Sequence, residues 1–225
     1  MTKAWPVTLR EDQRDATGPA AASSAASSTG PAAPTPPAAV VLRPLRRRDA
    51  DAWLRLRAAN RAWLDPWEAT SPGEVAGSAT FGEYVRVLTQ QARQGTTLPF
   101  AVEYDGSLVG QLTVSSITYG SLCSAAIGYW VAQEVAGRGV IPTAVAMATD
   151  YCMQVLGLHR IEINIRPENE RSLRVVEKLQ FRDEGLRVRY LHIQGEWRDH
   201  RTFALTSEDI PGGLLARWQQ AREAR

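Results

Sequence analysis

A glycine turn with the sequence Gly137-Arg138-Gly139 follows one apolar segment and leads into a second, longer one. Glycine accepts positive φ angles and lets a ligand approach the backbone closely. Pro142 suits the first turn of a helix. The free N–H groups at a helix N-terminus, together with the positive end of its dipole, favour phosphate, and Arg138 can add a charge-assisted contact. The turn predicts a diphosphate cradle, with an ordinary strand-to-helix turn as the alternative.

Two common phosphate-binding motifs do not fit this turn. The dinucleotide fingerprint G-x-G-x-x-G requires a third glycine where Pro142 stands. A P-loop requires Gly-Lys-Ser/Thr ahead of its helix, and that sequence is absent. The sequence therefore excludes both of these nucleotide-binding classes.

A second group of candidate residues lies in the segment RPENERSLRVVEKLQF, residues 166–181. Asn169 can cap a helix whose apolar residues recur on one face. Ser172 falls in the first turn of that helix. Its hydroxyl can either support the helix start or take part in chemistry.

The elements that must position these residues follow from periodicity and turn signals. Apolar or alternating runs predict strands at 40–45, 98–102, 108–115, 124–131, 159–165, 186–193 and 197–205. Amphipathic patterns predict helices after Asp49, at 81–91, 142–156 and 169–179, and from Leu214. The helix between the strands at 124–131 and 159–165 makes these two strands parallel if they are neighbours. The predicted fold class is α/β (α+β), with a mixed sheet.

The connection at residues 60–72 is unusual because Trp63, Pro66 and Trp67 crowd into it. Connections that carry large aromatic side chains often form ligand-binding walls. The alternative is that both tryptophans fill the core.

The glycine turn and the segment at 166–181 resemble two acyl-CoA motifs of the GNAT N-acetyltransferases, R/Q-x-x-G-x-G/A and N-x-x-S-x-x-x-x-E-K-x-G-F. Three positions depart from the motifs. Ala136 replaces Arg or Gln, Ile141 replaces a small residue, and Gln180 replaces glycine. The segments LRPLRRRDADAWLRL, NRAWLDPWE and GEWRDH resemble the RimJ/RimL subgroup, which acetylates protein N-termini. The resemblance covers about residues 40–218.

This resemblance implies the GNAT acyl-CoA N-acyltransferase fold, a mixed and mostly antiparallel twisted sheet with flanking helices, and acetyl-CoA as the acyl donor. The strand at 126–131 would pair with the pantetheine arm and splay from the strand at 159–165. The main-chain N–H of Val131 would polarise the thioester carbonyl, and Ser172 would protonate or hydrogen-bond the CoA thiolate. The implied cofactor-binding residues are Tyr129, Val131, Ala136, Gly137, Arg138, Gly139, Val140, Ile141, Asn169 and Ser172.

An attacking amine must be neutral. An α-amine, with an ordinary pKa of about 7.7–8.0, needs only a weak general base. Glu68 ranks first among the candidate bases because it adjoins Trp67, and these two residues are predicted to bind the acceptor. Glu103 and Glu196 are the alternatives. Each carboxylate taken alone is more often a solvated surface group.

Composition sets the remaining limits on this chain of 225 residues. A net charge of +2 does not favour a nucleic-acid or membrane partner. No run approaches the roughly 18 apolar residues of a membrane span. The two cysteines lack metal-ligand spacing. The expectation is therefore a cytoplasmic, metal-free monomer or dimer.

The domain predictions place a disordered, Ala/Ser/Pro-rich extension at 1–39, the catalytic domain at 40–218 and a helix end or tail at 219–225. The predicted function is transfer of acetyl from acetyl-CoA to the N-terminus of a protein, with a ribosomal protein as the candidate acceptor, by direct attack in a ternary complex. The alternatives are a small-molecule amine acetyltransferase, acting on a polyamine or an aminoglycoside, and a catalytically weak acyl-CoA sensor.

Overall fold

The computed structural model describes residues 5–11, 39–72 and 80–224. Its eight strands form one sheet in the order β1-β2-β3-β4-β5-β6-β8-β7. Only the β5–β6 pair is parallel among these strands, which confirms the predicted mixed, mostly antiparallel sheet. The strands are β1 (Leu9–Arg10), β2 (Val40–Pro44), β3 (Leu98–Tyr104), β4 (Ser107–Thr118), β5 (Ser124–Val131), β6 (Arg160–Ile165), β7 (Arg182–Ile193) and β8 (Glu196–Thr206).

Six α-helices flank the sheet in the described part of the chain: α1 (Ala50–Ala59), α2 (Arg61–Leu64), α3 (Phe81–Arg93), α4 (Val140–Asp150), α5 (Glu170–Lys178) and α6 (Leu214–Glu223). A capping box opens α3, because Thr80 Oγ1 accepts from the Glu83 N–H and the Thr80 N–H donates to the Glu83 carboxylate. None of the described helices has the length and apolar character needed to cross a membrane.

The helix α4 forms the centre of the main core. Every residue from Val140 to Thr149 is buried, and a π-helical turn at Tyr151–Val155 extends the helix. A helix that is apolar all round must be covered on several sides. The sheet covers one side, and α6 covers another through Trp218, whose Nε1 donates to Thr143 Oγ1 at 2.9 Å.

The strands β5 and β6 separate after a short paired region. Only Ser124–Ala126 pair with Arg160–Glu162, while β6 continues alongside β8 to Ile165. The remaining residues of β5, 127–131, pair with β4 alone among the described strands. We call the space beside them the strand gap.

The N-terminal residues differ in part from prediction. Residues 5–11, which fall in the predicted disordered extension, form β1 beside β2, and the Trp5 ring packs edge-on against Phe100 with centroids 5.3 Å apart. The short alternating run at Val7 and Leu9 was too weak a signal to predict this strand. Residues 1–4 and 12–38 lie outside the described residues, and the prediction for them stays a prediction. At the other end, the predicted boundary after residue 218 falls inside α6.

Candidate active site

A cavity of about 1290 Å³ opens at the strand gap. Its walls come from α1, α3, β4, β5, the turn before α4 with the first residues of that helix, α5, and the connection at 60–72. Nearly all of the residues predicted for the cofactor line it: Tyr129, Val131, Ala136, Gly137, Gly139, Val140, Ile141, Asn169 and Ser172. The predicted residue Arg138 is exposed and does not line the cavity.

The turn before α4 has the backbone that the sequence predicts. Gly137 and Gly139 both have φ of 84°, a left-handed conformation that glycine adopts without steric cost. Gly139 is the N-cap of α4 and provides no side chain to satisfy the first N–H groups. We call this turn and the first turn of α4 the glycine cradle. It presents free N–H donors to the cavity, as an anion-binding helix N-terminus does.

The backbone of Val131 faces the strand gap. The Ala132 N–H donates to Val109 O on the β4 side at 2.8 Å, and backbone groups in an antiparallel pair alternate in direction. Val131 O accepts from Trp63 Nε1 at 3.0 Å instead of from β4. The N–H of Val131 therefore lies on the open edge of β5, where the predicted contact to a carbonyl oxygen requires it.

The start of α5 brings a polar pair to the cavity. Asn169 caps the helix by accepting from the Ser172 N–H at 3.1 Å, which explains why Ser172 is held in the first turn. Ser172 Oγ lies 2.7 Å from the Tyr129 hydroxyl. Burial raises the pKa of Tyr129 above its ordinary value, and the hydrogen bond to Ser172 opposes this only in part, so the phenol keeps its proton at neutral pH.

The connection at 60–72, which we call the aromatic connection, crosses the end of the strand gap. Trp63 donates to β5 as described. Arg166 at the end of β6 donates from Nη1 to Pro66 O at 2.8 Å, and the Thr70 N–H donates to His192 O of β7 at 2.8 Å. Neither Trp63 nor Trp67 belongs to the hydrophobic core clusters of the described chain. Both line the cavity, which favours the binding-wall interpretation.

Glu68 lies in the cavity wall at the end of the aromatic connection. Its carboxylate pairs with Arg57, whose guanidinium packs over the rings of Trp53 and Trp130 at 5.1 and 5.4 Å from their centroids. The other two candidate bases lie elsewhere. Glu103 pairs with Arg43 at 2.7 Å, Glu196 pairs with Arg198 at 2.8 Å, and neither lines the cavity.

Sequence reasoning missed the aromatic chamber on the α1–α3 side of the cavity. The Gln111 side chain, 4% exposed, accepts from Trp53 Nε1 at 2.9 Å and donates to the Tyr84 hydroxyl at 2.8 Å. Trp130 completes the chamber beside Trp53. These residues come from four elements. The only feature of the sequence that pointed to the chamber is the pair of adjacent aromatic residues Tyr129 and Trp130. Neighbouring strand residues point to opposite faces, so aromatic side chains there place rings on both faces of β5.

The charge of the cavity suits an anionic ligand on the α5 side. Arg171, Arg174 and Lys178 of α5 line it, and Arg171 also packs over the Trp63 ring at 4.4 Å. The described residues contain no group of three or more His, Cys, Asp or Glu side chains that could hold a metal. The cradle, the open edge of β5 and these cations together fit a ligand with a diphosphate and an extended amide-containing arm.

Comparison with known proteins agrees with this geometry. Residues 39–182 match the family model described as an acetyltransferase (GNAT) domain. The ribosomal protein uS5 alanine N-acetyltransferase of Escherichia coli K12 is 31% identical over 73% of this chain and 87% of its own length. Spermidine N(1)-acetyltransferase of the same organism is 27% identical over 71% of this chain and 82% of its own length. The solved structure of Mycobacterium smegmatis RimJ in complex with CoA-disulfide is 38% identical in sequence. It superposes with a TM-score of 0.81 and covers 99% of this chain and 98% of its own.

Proposed function

Because the chain belongs to the GNAT acetyltransferase family, and is therefore an acetyl-CoA-dependent N-acetyltransferase, we propose that it acetylates the N-terminal α-amine of a protein. The observation that carries this proposal is the cavity, which joins the glycine cradle to the aromatic chamber through the strand gap. A donor held on one side of the sheet and an amine entering from the other would meet beside Val131.

The donor side of the cavity fits acetyl-CoA. The N–H groups of the glycine cradle would take the diphosphate, and the cations of α5 would offset the remaining phosphate charge. The open edge of β5 would pair with the amides of the pantetheine arm, as an added strand does. The RimJ structure that this chain resembles was solved with CoA-disulfide, which supports a CoA thioester as the donor.

Three groups would then serve the transfer. Glu68 takes one proton from the acceptor ammonium group, so that the neutral nitrogen attacks the thioester carbonyl carbon. The nitrogen loses its second proton as the tetrahedral intermediate collapses, and the departing sulfur takes up that proton to leave as the CoA thiol. The Val131 N–H stabilises the oxyanion that forms as the C–N bond is made. Ser172 gives a hydrogen bond to the thiolate sulfur as the C–S bond breaks. Direct attack in a ternary complex needs no covalent enzyme intermediate.

The acceptor side favours a single amine over a polycation. Glu68 is the only acidic side chain among the described residues that line the cavity, whereas a polyamine would call for several carboxylates. An α-amine titrates near neutrality, so one carboxylate suffices as its base. The uS5 alanine N-acetyltransferase relative supports a ribosomal protein with terminal alanine. The spermidine acetyltransferase relative makes a polyamine the second candidate.

Mass spectrometry of a peptide panel tests the proposal. Each peptide carries an internal lysine and is offered with a free and with a blocked N-terminus, together with acetyl-CoA, while spermidine is assayed in parallel. We expect acetylation only of free N-termini, fastest with alanine or serine first. Modification of blocked peptides would shift the acceptor to lysine, and reaction with spermidine alone would overturn the protein acceptor.

A further inference from the structure

The contact between Tyr129 and Ser172 links the open strand β5 to the helix α5 at the cavity wall. Their hydroxyl oxygens lie 2.7 Å apart, and both side chains line the cavity. The Ser172 backbone is fixed by the Asn169 cap, so the serine side chain starts from a set position. What remains open is which of the two hydroxyls donates the hydrogen.

We infer that Tyr129 is a positioning residue whose phenol donates to Ser172 Oγ and so leaves the Ser172 hydroxyl hydrogen free to point into the cavity. This inference rests on the proposed function, in which Ser172 hydrogen-bonds the departing thiolate. A serine hydroxyl has one hydrogen to donate and two lone pairs that accept. If Ser172 donated to Tyr129, it would have no hydrogen left for the sulfur.

The chemistry of the two groups decides the direction. A phenol is a much stronger acid than an aliphatic alcohol, and is therefore the better hydrogen-bond donor of the two. The burial that keeps Tyr129 protonated also keeps it a donor throughout the reaction. No proton leaves Tyr129. One proton of the ammonium group goes to Glu68 before attack, and the C–S electron pair goes to sulfur. Ser172 stabilises the resulting thiolate through its hydrogen bond until the sulfur takes up the second proton, which the nitrogen loses as the amide forms.

The test compares Tyr129→Phe, Ser172→Ala and the double variant by the rate of CoA thiol release. Two acceptors are used, a peptide with N-terminal alanine and spermidine, so that a wrong acceptor does not hide the effect. We expect Tyr129→Phe to lower kcat about tenfold, the size of one lost hydrogen bond, with acetyl-CoA affinity and Tm close to wild type. We also expect the double variant to be no slower than Ser172→Ala alone, because without the serine hydroxyl there is nothing left to position.

A Tyr129→Phe enzyme with wild-type kcat would overturn the inference, as would losses that multiply in the double variant. A loss of acetyl-CoA affinity as large as the loss of kcat/KM would also overturn it, by making Tyr129 a binding residue. Tyr104→Phe is the matched control, because Tyr104 is half-buried on β3 and does not line the cavity. A wild-type enzyme that modifies neither acceptor would instead refute both proposed acceptors, which separates that failure from failure of the positioning role.

Discussion

At the scale of single residues, the glycine cradle depends on a backbone shape that other residues resist. Gly139 has φ of 84°, and a Cβ placed there would lie 3.6 Å from the Trp218 ring, an ordinary contact distance. Space is therefore not what requires glycine at this position. Glycine is required by the left-handed backbone conformation, because a β-branched residue adopts that conformation only under strain.

We predict that Gly139→Val abolishes acetyl-CoA binding. The valine moves φ out of the left-handed region, which turns the first N–H groups of α4 away from the cavity. Isothermal titration with acetyl-CoA measures the effect. Gly120→Val is the matched control, because Gly120 has φ of 77° in a turn with open space around its Cβ position and does not line the cavity. Wild-type affinity in Gly139→Val would contradict the cradle.

A second residue-scale prediction concerns Glu68, the only carboxylate in the described cavity wall. Glu68→Gln keeps the side-chain shape but cannot take a proton, so we expect kcat to fall about 100-fold at neutral pH. The KM for acetyl-CoA should stay near wild type, because the proposed function places Glu68 on the acceptor side. Steady-state kinetics with an N-terminal alanine peptide measures both.

The matched control for this variant is Glu196→Gln, at the exposed start of β8, where the carboxylate pairs with Arg198 outside the cavity. We expect it to leave the kinetics unchanged. Equal rates in Glu68→Gln and wild type would remove Glu68 from the mechanism and favour a water-mediated base.

At the scale of elements, the aromatic connection crosses the end of the strand gap and forms the acceptor wall of the proposed function. It reaches β5 through Trp63, β6 through the Arg166 contact to Pro66, and β7 through Thr70. A connection tied to three separate strands is more rigid than the short helical turns within it would be on their own. The divergence of β5 and β6 thus opens a path through the sheet, and the connection bounds that path.

We predict that Trp63→Phe loosens this wall. The variant keeps a ring for Arg171 to pack against but loses the hydrogen bond to Val131 O, a loss of about 1 kcal/mol. The peptide KM should rise several-fold, by about a factor of five for that energy, while acetyl-CoA affinity stays near wild type. Hydrogen exchange across residues 60–72 should also become faster.

The control is Trp197→Phe, because Trp197 is 55% exposed and does not line the cavity. It should change neither the peptide KM nor the exchange rates. If Trp63→Phe matched it in both measurements, the hydrogen bond to β5 would contribute nothing to the acceptor wall.

The positions of the site residues in these elements explain which of them could be predicted from the sequence. Motif residues such as Gly139, Asn169 and Ser172 sit on strand-to-helix junctions, where local composition and spacing indicate the conformation. The aromatic chamber could not be predicted in this way, because Trp53 and Gln111 meet only after α1 packs on β4. A helix pattern marks Trp53 as apolar but does not say which strand it contacts. The same limit left Glu68, Glu103 and Glu196 open as bases, since their distances to the cavity depend on tertiary packing.

At the scale of the whole molecule, the N-terminal strand ties the two ends of the chain together. Glu11 donates its N–H to Val40 O at 3.2 Å, its carboxylate pairs with Arg222 at 2.9 Å, and its carbonyl accepts from Gln219 at 3.3 Å. Composition predicts disorder for the Ala/Ser/Pro-rich segment but gives no sign that the few residues before it return to the sheet. Residues 12–38 therefore connect two neighbouring antiparallel strands.

This topology predicts that the chain tolerates loss of residues 12–38 but is destabilised by loss of residues 1–38. Replacing residues 12–38 by a four-residue glycine-rich turn should keep or raise Tm. Each halving of the loop length lowers the entropic cost of closing the loop by about 0.6 kcal/mol. Peptide acetylation should stay at the wild-type rate, since the described parts of β1 and β2 do not line the cavity. Deleting residues 1–38 removes β1, the Trp5–Phe100 contact and the Glu11 contacts with α6, so its Tm should fall by several degrees. Thermal unfolding of both variants and the wild type tests this prediction. Equal Tm values for the two variants would mean that β1 adds no stability. A Tm lowered only in the turn replacement would mean that residues 12–38 do more than connect the two strands.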